Sequence, residues 1–140
     1  MSIVFTITLP AKLENLQKMM RSVCDSAQIQ GFARKKIGEI ELAAEEAWVN
    51  ICNYAYPEQS GDVEVIGKAD DNNFIIEIID SGIPFDITAL SDPNITDDVD
   101  ERKIGGLGVF LMKKMADEVR YRRENDRNVV ELIFKKAGGG

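Results

Sequence analysis

The sequence predicts an α+β fold, a two-layer α/β sandwich with three helices on one face of a mostly antiparallel mixed sheet. Three observations predict it. The elements follow the order β-α-α-β-β-loop-α-β-β, the strands come largely as hairpin pairs joined by polar turns, and the two long helical segments each carry one apolar stripe. Strands paired this way do not build the parallel crossovers of a doubly wound fold.

The first element, "SIVFTITLP", alternates Ile3, Phe5, Ile7 and Leu9 against Val4, Thr6 and Thr8, which is a strand stopped by Pro10. From Ala11 to about Gln28, Leu13, Leu16, Met20, Val23 and Ala27 recur at helical spacing, and Gly31 ends or follows that helix. A second helix runs from Arg34 to about Ala55 with Pro57 beyond it, and its stripe is Ile37, Ile40, Ala44, Ala47, Trp48 and Ile51. "DVEVIGKAD" and "NFIIEIID" form a hairpin across the turn signal of residues 70–73. The Asp-, Pro- and Gly-rich segment from Ser81 to Gly106 is long enough to suggest a lid or binding loop. A third helix follows from about Leu107 to Glu118, and "VRYRRE" and "NVVELIF" close the sheet around the turn at Asn125-Asp126. Residues 1–137 are expected to form one domain, with 138–140 as a flexible tail.

The balance of 24 acidic to 17 basic residues, a formal charge of −7, disfavours direct nucleic-acid binding. It leaves open an anion site made of backbone amides. No apolar run approaches the length of a membrane span, so no membrane association is expected. Cys24 and Cys52 match no metal or redox spacing; with no signal peptide visible, they are expected to be reduced thiols of a cytoplasmic protein. The chain has no histidine, which excludes His-based triads, most catalytic zinc sites and phosphohistidine chemistry within this chain.

Three stations could carry chemistry. In "EIELAAEEAWVNICNYAYP", Glu46 and Asn50 lie one helical turn apart on one face with Asn53 close by, away from the apolar stripe. Glu45 is rotated away by about 100° and fits less well. A carboxylate there could deprotonate a hydroxyl, and an amide oxygen could bind Mg²⁺ beside phosphates; an acidic solvated face is the alternative. In "IIDSGIPFD", Asp80 at a strand end could accept from an exocyclic amine and Gly82 could admit a flat ring, or the residues could be an ordinary turn. In "ERKIGGLGVFLMKKMADEV", Gly105, Gly106 and Gly108, with Leu107 between them, precede and open a helix whose free amides favour phosphate. No Gly-Lys-Ser/Thr follows, so this is not a P-loop, and Leu111 stands where a dinucleotide fingerprint has its third glycine.

Together, and in this order, the three stations resemble the N, G1 and G2 boxes of the GHKL ATPase superfamily. "EEAWVNICNYAYP", "IIEIIDSGIPFD" and "GGLGVFLMKKMADEVRYRR" resemble most closely its stand-alone anti-sigma factor serine kinases. The resemblance spans nearly the whole chain and implies an ATP-binding Bergerat fold. It implies Glu46 as general base, Asn50 as Mg²⁺ ligand, Asp80 as receiver of the adenine amino group and Gly82 beneath the ring. Gly105, Gly106, Leu107 and Gly108 would hold phosphates and 81–105 would be the ATP lid. Arg102 and Lys103 could reach the phosphates or form a solvated pair. Asn128 stands where the family often has Gly-Thr, which puts that adenine-side contact in doubt. Tyr54, where many members carry His, is expected to pack at the pocket edge.

The implied activity is an ATP-dependent anti-sigma factor that phosphorylates a serine of an anti-anti-sigma (STAS-type) protein. Its cofactors would be ATP and Mg²⁺, its partners a sigma factor and that antagonist, and its assembly a homodimer. The alternatives are a nucleotide-switched binding module without kinase activity and a detached histidine-kinase catalytic domain acting in trans.

Overall fold

The strands are Ser2–Pro10 (β1), Asp62–Ala69 (β2), Asn73–Asp80 (β3), Glu118–Glu124 (β4) and Arg127–Lys135 (β5), and the helices are Leu16–Ile29 (α1), Arg34–Tyr54 (α2) and Leu107–Met115 (α3). This computed structural model describes residues 1–57, 59–89 and 107–136. The sheet order is β1-β2-β3-β5-β4. Among the described residues the four pairings are antiparallel, so the expected mostly antiparallel sheet carries no parallel pair there. The physical reason is the placement of β5: it enters between β3 and β4, so those two like-directed strands never become neighbours.

The helices cover one sheet face. Val63 and Val65 of β2, Phe74, Ile76 and Ile78 of β3, and Val130, Leu132 and Phe134 of β5 form one cluster with the α2 stripe, in which Ile40, Ala44, Ala47 and Trp48 are wholly buried. The period of two on the strands meets the 3.6-residue period of α2, and burying these side chains contributes roughly 1.5–3 kcal/mol for each large one. The opposite face is covered by long charged side chains instead. There Glu77, buried at the centre of the sheet, is held by Lys68 at 3.2 Å and by Arg122 at 3.7 Å.

The first helix departs from its expected start. Lys12 is extended, Leu13–Asn15 form a 3₁₀ turn, and the α-helix begins at Leu16. Asn15 causes this by donating its side-chain amide to the Pro10 carbonyl at 2.9 Å, tying the turn to the strand end. Leu13 is consequently exposed, and Met19 rather than Met20 takes the fully buried place. Gly31 supplies the left-handed residue, at φ +88°, that ends α1. The third helix stops three residues short of Glu118, because the Asp117 amide donates to the Ile133 carbonyl at 2.9 Å and starts the pairing of β4. Asn125 and Asp126 both have positive φ, the geometry of a tight hairpin turn. Asp70 accepts from the amides of Asn72 and Asn73 at 2.8 Å each, closing the β2–β3 hairpin.

Both cysteines are free thiols. Among the described residues no helix is long and apolar enough to cross a membrane.

Candidate functional site

The site lies along the C-terminal half of α2, which the start of α3 meets at Glu46 and Asn50 and the turn beyond β3 meets at Ala55. Helical periodicity sets Ala47, Trp48 and Ile51 into the core and turns Glu46 and Asn50 toward α3. Asn50 is almost fully buried, and its side-chain amide donates to the Glu46 backbone carbonyl at 2.7 Å. That bond fixes the side chain and leaves Oδ1 as the acceptor. Oδ1 is, among the described residues, the buried side-chain polar atom without a hydrogen-bond partner. An orphaned buried oxygen costs about 1–3 kcal/mol, and such groups mark functional positions.

Glu46 is half-buried. Burial first, and then the like charge of Glu45, push its carboxyl above the usual carboxylate value. Gly108, in the first turn of α3, packs directly on this pair: a Cβ there would meet the Glu46 carboxylate oxygen and lie 3.6 Å from the Asn50 amide nitrogen. The acid, the amide and the open amides of a helix start are therefore adjacent. Asn50 Oδ1 is a hard neutral oxygen, of the type Mg²⁺ takes beside phosphate oxygens, so the residues present fit that ion.

Asp80 ends β3 on the helix-covered face, where it is 3% exposed. Its Oδ1 accepts from the Gly82 amide and from the Asn128 side chain, both at 2.9 Å. Burial raises the affinity of Asp80 for a proton, while these two bonds and the nearby Arg123 oppose that shift. The turn beyond Asp80 is fastened from three sides. Ile83 N–H donates to the Ala55 carbonyl at 2.9 Å, Arg123 donates to the Gly82 carbonyl at 2.9 Å, and the Ser81 amide donates to the Tyr56 hydroxyl at 2.7 Å. Gly82 sits so close to the C-terminus of α2 that a Cβ would collide with the Ala55 carbonyl. Tyr54 stacks on Phe85, ring centroids 5.6 Å apart, and closes one edge of the region.

Of the residues that sequence reasoning brought to the fore, Gly108 meets Glu46 and Asn50, and Gly82, whose amide donates to Asp80, meets the end of α2. Asn53 is exposed, and its side chain makes no hydrogen bond among the described residues. Arg102, Lys103, Gly105 and Gly106, and the expected lid beyond Ala89, lie outside the described residues, and of Leu107 only the backbone that opens α3 is described. Two participants were missed, Arg123 and Tyr121, and the part of Asn128 was underestimated. The available signal was a polar residue opening the apolar run "NVVELIF", but its register against Asp80 is a tertiary fact.

The pattern of the histidine kinase-like ATPase domain matches residues 9–134. The chain is 26% identical to the serine-protein kinase RsbW of Bacillus cereus (strain AH820), of Bacillus anthracis (strain CDC 684 / NRRL 3495) and of Bacillus thuringiensis (strain Al Hakam). In each case the match covers 87% of this chain and 79% of the relative. With nearly its whole length inside that pattern, the chain belongs to the histidine kinase-like ATPase domain family, as the GHKL resemblance implied.

Proposed function

We propose that this protein is an ATP-dependent serine protein kinase and anti-sigma factor, which phosphorylates a serine of an anti-anti-sigma (STAS-type) antagonist and thereby regulates a sigma factor. The observation that carries the reading is the junction of Glu46 and the orphaned Asn50 oxygen with Gly108 at the start of α3. The similarity to serine-protein kinases supports it further.

In this reading Asn50 Oδ1 is a ligand for Mg²⁺, which when bound neutralises charge on the phosphates. The amides at the start of α3 receive phosphate oxygens, as helix N-termini do. Glu46 takes the proton of the substrate serine as the hydroxyl oxygen bonds to the γ-phosphorus and the bond to the ADP oxygen breaks. Its raised proton affinity suits it to that task. Asp80 accepts from the exocyclic amine of adenine. Arg102 and Lys103 meet the phosphates, and Gly105, Gly106 and Leu107 complete the phosphate loop. Positioning supplies most of the acceleration.

Calorimetry with Mg-ATP on wild type, Asn50→Ala and Glu46→Gln, alongside transfer of labelled γ-phosphate to a STAS-type protein, tests the reading. Asn50→Ala should weaken Mg-ATP at least tenfold. Glu46→Gln should keep ATP and lose transfer. Unchanged Mg-ATP affinity in Asn50→Ala would defeat the site assignment. Transfer surviving in Glu46→Gln would remove the general base. Nucleotide binding with no transfer by wild type would leave a nucleotide-switched binding module.

A further inference from the structure

Asn128 is 2% exposed, and every polar group of its side chain is committed. Its amide nitrogen donates to Asp80 Oδ1 at 2.9 Å and to the Ile83 carbonyl at 2.7 Å. Its oxygen accepts from the Tyr121 hydroxyl at 2.6 Å, the Phe85 amide at 3.2 Å and the Arg123 guanidinium at 3.2 Å. One side chain thus joins β3, the turn beyond it and β4. In the sheet register Asn128 stands directly opposite Asp80.

The direction of this network is fixed by chemistry. The Phe85 amide and the Arg123 guanidinium can only donate, so a flipped Asn128 would set its NH₂ against two donors. The group facing Asp80 is therefore an N–H. Asp80 Oδ1 then receives two N–H donors, from Asn128 and from Gly82, and a proton on that oxygen would oppose both. Asp80 Oδ2 takes neither bond and is the oxygen offered to a ligand. These two donors favour the ionised form of Asp80, and an ionised carboxylate accepts hydrogen bonds at Oδ2 and has none to give. Beside a purine it welcomes a 6-amino group and repels a 6-oxo group, whose lone pairs would face its own.

We propose that Asn128 is a positioning residue for base selection: by donating to Asp80 Oδ1 it holds the carboxylate as an oriented acceptor, and so makes the site choose a 6-amino purine over a 6-oxo purine. This rests on the reading of Asp80 as the residue that meets the base. Without the Asn128 donor, Asp80 is freer to turn and to carry a proton, and a protonated Asp80 can donate to a 6-oxo oxygen.

The test is calorimetric affinity for Mg-ATP and Mg-ITP, which differ at position 6 of the base, with the full chain. Wild type should favour ATP. Asn128→Leu, nearly the same size without polar atoms, should narrow the ATP/ITP ratio by about tenfold, the equivalent of about 1.4 kcal/mol for one lost hydrogen bond to a charged group. A residue that merely supported the fold would weaken both nucleotides alike, and an unchanged ratio in Asn128→Leu overturns the proposal. If Asn128→Leu does not fold, the isosteric pair Asn128→Thr and Asn128→Val decides: the hydroxyl should preserve more of the ratio, and equal ratios overturn the proposal. Wild type that binds ATP and ITP equally overturns this inference alone. Wild type that binds no ATP overturns the reading of the site and this inference together.

Discussion

Gly108 packs directly against Glu46: a Cβ on Gly108 would run into Oε2 of Glu46 where that side chain now lies. The obstructing atom is the far end of a flexible side chain, so the protein could absorb the extra carbon by moving Glu46. Fold and chemistry would then respond differently to one substitution. Gly108→Ala should leave the melting temperature unchanged or slightly higher, since alanine favours a helix over glycine by about 1 kcal/mol. Phosphotransfer should fall by roughly 10- to 100-fold, because a displaced base loses its alignment with the hydroxyl. Parallel melting curves and turnover assays check this; full activity would argue against Glu46 as the base.

Gly82 presents the opposite case, because the atom its Cβ would strike is the backbone carbonyl of Ala55, which cannot swing aside. Gly82→Ala should therefore cost about 2–3 kcal/mol in urea denaturation, the scale of forced overpacking. The hydrogen bond from Ile83 to Ala55 should break first, seen as faster amide exchange at Ile83.

Asp80→Asn should stabilise the protein while abolishing ATP binding. Burial raises the proton affinity of Asp80 above its ordinary value of 3.8, so the folded state holds that proton more tightly than the unfolded chain. Stability from this group is present at low pH and is lost as pH rises through the folded value. Asparagine escapes that loss, and its oxygen can still accept from Gly82 and Asn128. The melting temperature of the variant should exceed that of wild type at neutral pH, with the gap closing as pH falls. A variant less stable than wild type at every pH would contradict this.

Cys52 should be slow to alkylate in the folded protein, since burial pushes its thiol up to about 11. The reactive thiolate is then about a thousandth of the population at pH 8. Labelling with iodoacetamide should speed up steeply toward pH 11, and unfolding in urea should restore the rate of an ordinary cysteine. A fast rate at pH 8 without denaturant would contradict the buried setting.

Much of this molecule was legible in local pattern. The stripe from Ile37 to Ile51 marked α2 and the face it buries, and the same helical period set Glu46 and Asn50 together on another face. Period-two alternation marked the strands, and Asp70 and Asn125-Asp126 marked two hairpin turns. These features depend on residues a few positions apart, where backbone geometry alone fixes which side chains share a face. The start of α1 was misread because a bond outside the helix decided it: Asn15 reaches back to the strand end at Pro10. The partnership of Asp80 with Asn128 depends on β5 inserting beside β3, across a connection of more than forty residues. Gly82 read as room for a ring, and its packing against the end of α2 was not legible in local pattern. Local pattern was enough to settle the elements, their amphipathic faces and the residue types that could meet a nucleotide. Which of those residues touch was left to tertiary packing, because contacts between distant segments follow from how whole elements fit together, and periodicity carries no information about that.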